Sequence, residues 1–301
     1  MNFRFQNLLG APYRGGNAVI SSNTLLLSAV GNRVAVTDLL KSESSTLPIQ
    51  SSSNVSRIAV SPNATFLLAI DDRNRCLFIN LRRRAVLHHI SFKHRVAAVE
   101  FSPDGSLIAV GAGKLYFPFE LVRTFADFDG KITTLDWSPD SKYLIVGSKD
   151  LTARILCLKK LNSSVKKKPF LLLGHRDSVV GSFFGVNSKT NRVCKAYTVT
   201  RDCYLFSWGF TSDNSGEGEG SEPPSPGTPD RDVEGNLEVI KNDGVKKRKK
   251  IDVEDGDEGY LSRGKWELLR KDGFMQGSAK VTACDYHRGL DMVVVVLKFC
   301  G

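Results

Sequence analysis

The chain has 301 residues, 41% of them hydrophobic, and a net charge of +10. That is enough apolar material for one or two globular domains, and its apolar runs, such as Val293 to Leu297, are too short to form a helix across a bilayer. A pI near 9.3 favours acidic partners, nucleic acid among them, without selecting one.

The stretch before Asp38 carries Arg4, Arg14 and Arg33 and no acid. It has no apolar segment of secretory-signal length, since Leu8-Leu9 is too short. Its alternation at Val34 and Val36 reads as folded strand, and strands are expected near 24–30 and 33–39 as a partial unit. A repeat then sets in. Ser61-Pro62-Asn63, Ser102-Pro103-Asp104-Gly105 and Ser138-Pro139-Asp140 each follow an apolar pattern: Val55/Ile58/Val60, Val96/Val99/Phe101 and Ile132/Leu135/Trp137. Each precedes a second apolar run, Leu67-Leu68-Ala69, Ile108-Ala109-Val110 and Leu144-Ile145-Val146. A further copy places His287 in the serine slot, between Val281/Cys284/Tyr286 and Val293-Val294-Val295.

The best-formed unit predicts strands at 55–60, 65–70, 75–80 and 85–91, and further units begin at 96, 132, 179 and 281. The period within each segment is two, as for short strands. Proline ends the first strand because it fixes φ and lacks an N–H, and Asp and Gly close the turn. Between Gly111 and Leu121 the expected third strand is absent, and the spacing from Ser102 to Ser138 is shorter than that from Ser61 to Ser102. One unit is therefore expected to lack a strand.

Residues 210–262 break the pattern with a Gly/Glu/Ser-rich stretch, the Pro223–Pro229 cluster, the basic run Lys246-Lys247-Arg248-Lys249-Lys250 and an acidic run from Asp252 to Glu258. Low hydrophobicity and high charge predict a disordered loop inserted between a third strand (Cys203–Trp208) and a fourth (Lys265–Leu269). The fold class is thus all-β, with four-stranded units at about 40-residue spacing, an incomplete β-propeller of about four to five blades. The expected organisation is blades over 1–209, the insertion over 210–262, and the start of a further, truncated blade over 263–301. Such arrays bind macromolecules and rarely do chemistry.

The cysteines at 76, 157, 194, 203, 284 and 300 include no pair at zinc-knuckle spacing. Cys76, Cys157, Cys203 and Cys284 fall in predicted strands, as buried reduced thiols would. No phosphate loop, nucleophile elbow or metal motif is present, so no catalytic residue, cofactor or small-molecule substrate is expected.

Gly174-His175, Thr200, Asp202 and Trp208 resemble a WD repeat. The resemblance implies that His175, Thr200, Asp202 and Trp208 form a buried hydrogen-bonded set with a structural role. Ser148 and Asp150 match one unit earlier, where Leu156 replaces the Trp. Phe5-Gln6-Asn7-Leu8-Leu9-Gly10, Tyr13-Arg14-Gly15-Gly16-Asn17, Val30-Gly31-Asn32-Arg33-Val34, Val86-Leu87-His88-His89 and Val146-Gly147-Ser148-Lys149-Asp150 resemble, in order, the periodic tryptophan protein 2 family. That resemblance implies a non-catalytic subunit of the nucleolar small-subunit processome. Its implied partners are other WD-repeat subunits, and the box C/D small nucleolar ribonucleoprotein and pre-rRNA, reached directly or indirectly.

Arg82-Arg83-Arg84 and Lys166-Lys167-Lys168 fall in predicted turns, where they are candidate contacts to RNA or an acidic partner. No aromatic residue interleaves with either run, so a base-stacking platform is not supported. Lys246–Lys250 is a candidate nuclear import signal, and Ser225 and Thr228, each before a proline, are candidate phosphosites beside it. A generic WD-repeat adaptor, such as a ubiquitin-ligase receptor or signalling scaffold, or a truncated isoform without function, is the alternative reading, and an enzyme of propeller fold the remote one.

Overall fold

The computed structural model describes residues 17–21, 24–92, 94–111, 115–116, 121–158, 168–187, 192–211, 235–241, 264–275 and 279–299. Among them there are strands and turns and no helix. In chain order the strands begin with β1 (Ala18–Ser21), β2 (Leu25–Val30), β3 (Arg33–Asp38), β4 (Glu43–Thr46), β5 (Val55–Val60), β6 (Phe66–Asp71), β7 (Arg75–Asn80) and β8 (Ala85–Phe92). Next come β9 (Ala98–Phe101), β10 (Leu107–Gly111), β11 (Leu115–Tyr116), β12 (Leu121–Phe128), β13 (Ile132–Trp137), β14 (Tyr143–Ser148), β15 (Ala153–Cys157) and β16 (Phe170–Leu172). The last are β17 (Val179–Val186), β18 (Val193–Thr200), β19 (Tyr204–Thr211), β20 (Gly235–Lys241), β21 (Lys265–Gly273), β22 (Ala279–His287) and β23 (Met292–Phe299).

The chain divides into two compact units, residues 1–125 with 236–246 and residues 126–235 with 247–301. In the first, β1-β2-β3-β4 form one antiparallel sheet and β5 to β8 another, which β11 extends beyond β8. The N-terminal unit is therefore a full four-stranded blade rather than the expected two strands. Its outer members AVIS and ESST are short and mostly exposed, so they carry no apolar period. Asn17 latches this blade to the next: its amide donates to the Ile58 carbonyl (2.8 Å) and its side-chain oxygen accepts the Ile58 N–H (2.7 Å).

Strand β6 shows why the second apolar run of each repeat is continuous. Leu67 and Ala69 pack toward Leu27, Val34 and Ile79, while Leu68 and Ile70 pack toward Phe78, Phe101 and Ile108. A strand covered on both faces has no polar face to alternate with. Burying each of the Leu and Ile side chains stabilises by roughly 1.5–3 kcal/mol.

The third sheet has the order β12-β20-β10-β9. The missing third strand is supplied by β20, from within the stretch read as a disordered insertion. It pairs antiparallel with β10 from Leu107↔Lys241 to Gly111↔Leu237. The alternation of Leu237 and Val239 is a strand signal hidden in the charged composition around it, and β10 offers it an edge with unpaired amides and carbonyls. Residues 115–116, which follow the gap, pair instead with β8 (Leu115↔Phe92, Tyr116↔Ser91).

In the second unit β13 to β16 form one blade, β17, β18, β19 and β21 the next, and β22–β23 a two-stranded sheet. Trp137, Tyr143, Phe184 and Phe206 are fully buried there. One face of β23 packs Val293, Val295 and Leu297 against Val180, Phe183 and Leu205, and the other leaves Met292, Val294 and Val296 exposed.

The Ser-Pro turns share one geometry. Ser61, Ser102 and Ser138 each accept, on the hydroxyl oxygen, the N–H of the residue that opens the next strand, Phe66 (2.9 Å), Leu107 (2.9 Å) and Tyr143 (2.8 Å). Each hydroxyl donates to the side chain two residues on, Asn63, Asp104 and Asp140. The fourth residue of the turn is left-handed in all three, at Ala64 (φ 51°), Gly105 (φ 73°) and Ser141 (φ 56°). In the last hairpin His287 stands in the serine slot but bonds differently, its Nδ1 accepting the Leu290 N–H within the turn (3.1 Å).

Cys76, Cys157, Cys194, Cys203 and Cys284 are unbridged. Cys203 lies in the turn before β19 at φ 65°, not in a strand. Burial pushes the Cys284 thiol up to about 12.

Candidate functional site

Of the four residues expected around His175, only His175 and Trp208 meet, and they do so through Thr198. His175 lies four residues ahead of β17, in the loop entering its blade, and is 7% exposed. Its Nε2 sits 2.8 Å from the Thr198 hydroxyl, and its Nδ1 3.1 Å from the Leu151 carbonyl. Trp208 Nε1 donates to the same hydroxyl at 3.0 Å. The roles follow from chemistry. A carbonyl only accepts, so Nδ1 carries the ring proton. The indole only donates, so the Thr198 hydroxyl spends its own proton on Nε2. Every donor in this buried chain is matched.

Thr200 and Asp202 do not join it. The Thr200 hydroxyl donates to the Asp202 carboxylate within the β18–β19 turn. Thr198 and Thr200 share a face of β18, and only Thr198, paired with Phe206, lies diagonal to Trp208, which pairs with Ala196. Sequence spacing alone does not separate the two threonines. Burial, opposed by the Leu151 contact and the Asp202 charge, pulls the His175 pKa below its usual 6.5, which favours the neutral ring that these hydrogen bonds use.

The same loop position is filled differently in other blades. Ser51, four residues ahead of β5, donates to Asp71 at 3.0 Å, and Asp71 also accepts the Arg73 and Arg75 amides at 2.9 and 2.8 Å. Burial raises the Asp71 pKa, but these donors outweigh it and hold the carboxyl below its ordinary value. Phe128, four residues ahead of β13, lies under the Arg154 guanidinium, 4.5 Å from the ring centroid.

Two contacts that the sequence does not signal pin the β22–β23 turn. Arg288 donates to Asp136 (2.7 Å) and to the Trp137 carbonyl (2.9 Å), and Asp136 also accepts the Phe184 N–H (2.8 Å). Asp291 accepts the hydroxyls of Tyr197 (2.9 Å) and Tyr286 (2.6 Å). Arg288 lies 152 residues from Asp136 and 151 from Trp137, and Asp291 lies 94 residues from Tyr197.

Arg82, Arg83 and Arg84 are all exposed in the β7–β8 turn, with Arg84 left-handed (φ 49°). Arg83's amide donates to Asn80 Oδ1 (2.9 Å). Arg82 and Arg84 line a groove of about 610 Å³ that reaches the β1–β4 sheet. Lys168 is exposed just before β16. Lys166, Lys167, Ser225, Thr228 and Lys246 through Lys250 lie outside the described residues. Among the described residues no group of His, Cys, Asp and Glu side chains is placed to hold a metal ion.

Comparison with known proteins locates this architecture. The WD domain, G-beta repeat family matches residues 119–155, the span from β12 into β15. The β-propeller domain of Cps50 (Swd1) from Myceliophteria thermophila superposes with a TM-score of 0.52 at 11% identity, over 71% of each chain, a likeness of fold alone. Periodic tryptophan protein 2 of Arabidopsis thaliana is 58% identical over 98% of this chain. The chain belongs to the periodic tryptophan protein 2 family. A family relative from Schizosaccharomyces pombe is 38% identical over 69% of the chain, and one from Mus musculus 33% over 68%. The chain spans 36% of the Arabidopsis relative's length. That match runs over 326 aligned residues, more than the 301 of this chain, so the relative carries residues inside it that have no counterpart here. The family and its WD repeat are of the non-catalytic scaffold type.

Proposed function

We propose that this chain acts as a WD-repeat scaffold in nucleolar assembly of the small ribosomal subunit, within the small-subunit processome. The observation that carries this reading is the 58% identity to periodic tryptophan protein 2 across 98% of the chain. The mechanism is presentation. Blades stiffened by buried latches hold their turns in fixed positions, where other WD-repeat subunits dock; the basic turns at Arg82–Arg84 and Lys166–Lys168 meet RNA or an acidic partner, and the small nucleolar ribonucleoprotein and pre-rRNA are reached directly or through those subunits. Lys246–Lys250 directs nuclear import. Phosphate on Ser225 or Thr228 adds about −1.5 to −2 charges each beside that run and weakens it.

Affinity purification of the tagged chain from nuclear extract, with and without RNase, tests the reading. Recovery of processome subunits in both conditions supports docking through protein surfaces, and recovery lost with RNase supports tethering through RNA. Recovery of ubiquitin-ligase or signalling components in their place favours a generic adaptor and sinks the proposal. For the import run, unchanged nuclear accumulation after alanine replacement of Lys246–Lys250 removes that part.

A further inference from the structure

We propose that the groove between the β1–β4 sheet and the β7–β8 turn is a docking site for an extended peptide of a protein partner, one that alternates apolar with acidic side chains. The inference stands apart from the ribosome-assembly reading and rests on the groove itself.

Its volume of about 610 Å³ lies in the range of sites that take a ligand of a few side chains. The floor is apolar, made by Leu25, Leu27, Val36, Leu47 and Leu81. One wall carries the Arg82 and Arg84 side chains, which have no hydrogen-bond or ion-pair partner among the described residues. Two such guanidiniums beside an apolar floor complement a carboxylate next to an aliphatic side chain.

The other wall supplies a backbone template. β4 ends its sheet and is exposed along its length. The Leu47 amide donates inward to the Val34 carbonyl (2.9 Å), so by the alternation of an antiparallel ladder Ser44 and Thr46 turn their amide and carbonyl groups outward. An extended peptide added there gains main-chain hydrogen bonds while alternate side chains enter the groove. Glu43 lines this wall and sets polarity by repelling acidic groups toward the arginines. Asp38 also lines it, with its carboxylate engaged by the Leu40 and Lys41 amides (2.9 and 3.1 Å).

RNA fits the groove less well. No aromatic ring lines it for a base to stack on, and Glu43 and Asp38 oppose a phosphate chain.

The test is fluorescence anisotropy with the full chain and a fluorescein-labelled peptide of three leucine–aspartate pairs, compared with a leucine–lysine peptide and a single-stranded oligouridylate. Saturable binding of the acidic peptide is expected, and none of the basic one. Arg82→Glu with Arg84→Glu should weaken the affinity at least tenfold, Arg82→Lys with Arg84→Lys should keep most of it, and Glu43→Lys should tighten it several-fold. All three positions are exposed, and thermal melts of the variants confirm that the blades persist. No binding up to millimolar protein, or equal binding by the charge-reversed variant, overturns the proposal. So does oligouridylate binding that needs these arginines while peptide binding does not.

Discussion

The blade built from β17, β18, β19 and β21 and the blade built from β5 to β8 solve one problem with different chemistry. Each must tie the loop entering its first strand to its second strand, and each does so from the residue four positions ahead of that first strand. In the former that residue is His175, held through Thr198 to Trp208 in a chain of neutral groups. In the latter it is Ser51, held to the Asp71 carboxylate, which also gathers two turn amides. On the second strand the partners differ by two residues, since Val179 pairs with Thr200 and Val55 with Asp71, so Asp71 stands in the place of Thr200 and not of Thr198. The comparison teaches that the loop end of the latch is set by the blade, whereas its partner on the second strand and its chemistry are open to any fully satisfied polar set. The blade of β13 to β16 adds a third solution, Phe128 beneath Arg154.

The largest expected effect comes from removing an anchor. Trp208→Ala should destabilise the chain by about 3–5 kcal/mol, the range for a large-to-small aromatic change in a core, read by denaturant unfolding. If the loss is no larger than for an exposed aromatic, the neutral latch is not what holds this blade.

Thr198→Val is the sharper cut. It keeps the shape and strands two buried partners, Trp208 Nε1 and His175 Nε2. A loss of about 2–4 kcal/mol is expected, from the roughly 1–3 kcal/mol cost of each unsatisfied group. Thr200→Val should cost less, because the Thr200 hydroxyl serves a turn. An equal loss for both would reinstate Thr200 as the latch.

Asp71→Asn should cost about 1–3 kcal/mol through weaker acceptance of the Ser51 and amide hydrogens, while leaving the His175 blade's hydrogen-exchange protection unchanged. The two latches also separate by pH. A histidine with a lowered folded pKa favours its neutral form. Its contribution is complete above the unfolded value near 6.5 and is lost as pH falls below it. An aspartate with a lowered folded pKa contributes fully above 3.8 and loses that contribution only as pH falls through its lower folded value. Stability followed from pH 7 downward should therefore decline first in a step that His175→Gln abolishes, and later in one that Asp71→Asn abolishes. A first step unaltered by His175→Gln breaks the assignment.

The smallest effect concerns the turns. Ala64 is left-handed where the neighbouring repeat uses Gly105. The αL conformation costs about 1–2 kcal/mol for an L-residue, and glycine's greater entropy in the unfolded chain offsets part of the relief. Ala64→Gly should raise stability by up to about 1 kcal/mol, and Gly105→Ala should lower it by a similar amount, both read by thermal unfolding.

Much of this was written in local pattern. The Ser-Pro turns, the apolar residues flanking them and the blade starts near 55, 96, 132, 179 and 281 are visible in sequence because each rests on neighbours within a hairpin. His175 and Trp208 were legible through the resemblance to a WD repeat. The choice of Thr198 over Thr200 was not, because both lie on one face of β18 and only the diagonal reach of the indole selects between them.

The sequence by itself determined an all-β repeat with buried second strands and family membership, since those follow from period, turn chemistry and ordered identity. Tertiary structure alone decided which polar residues meet. Asn17 reaches Ile58, Arg288 reaches Asp136, and β20 fills the place beside β10. These partners are remote in sequence, and what joins them is the need of a buried donor, a buried charge or an open strand edge for a partner, a demand that appears only once the blades have formed.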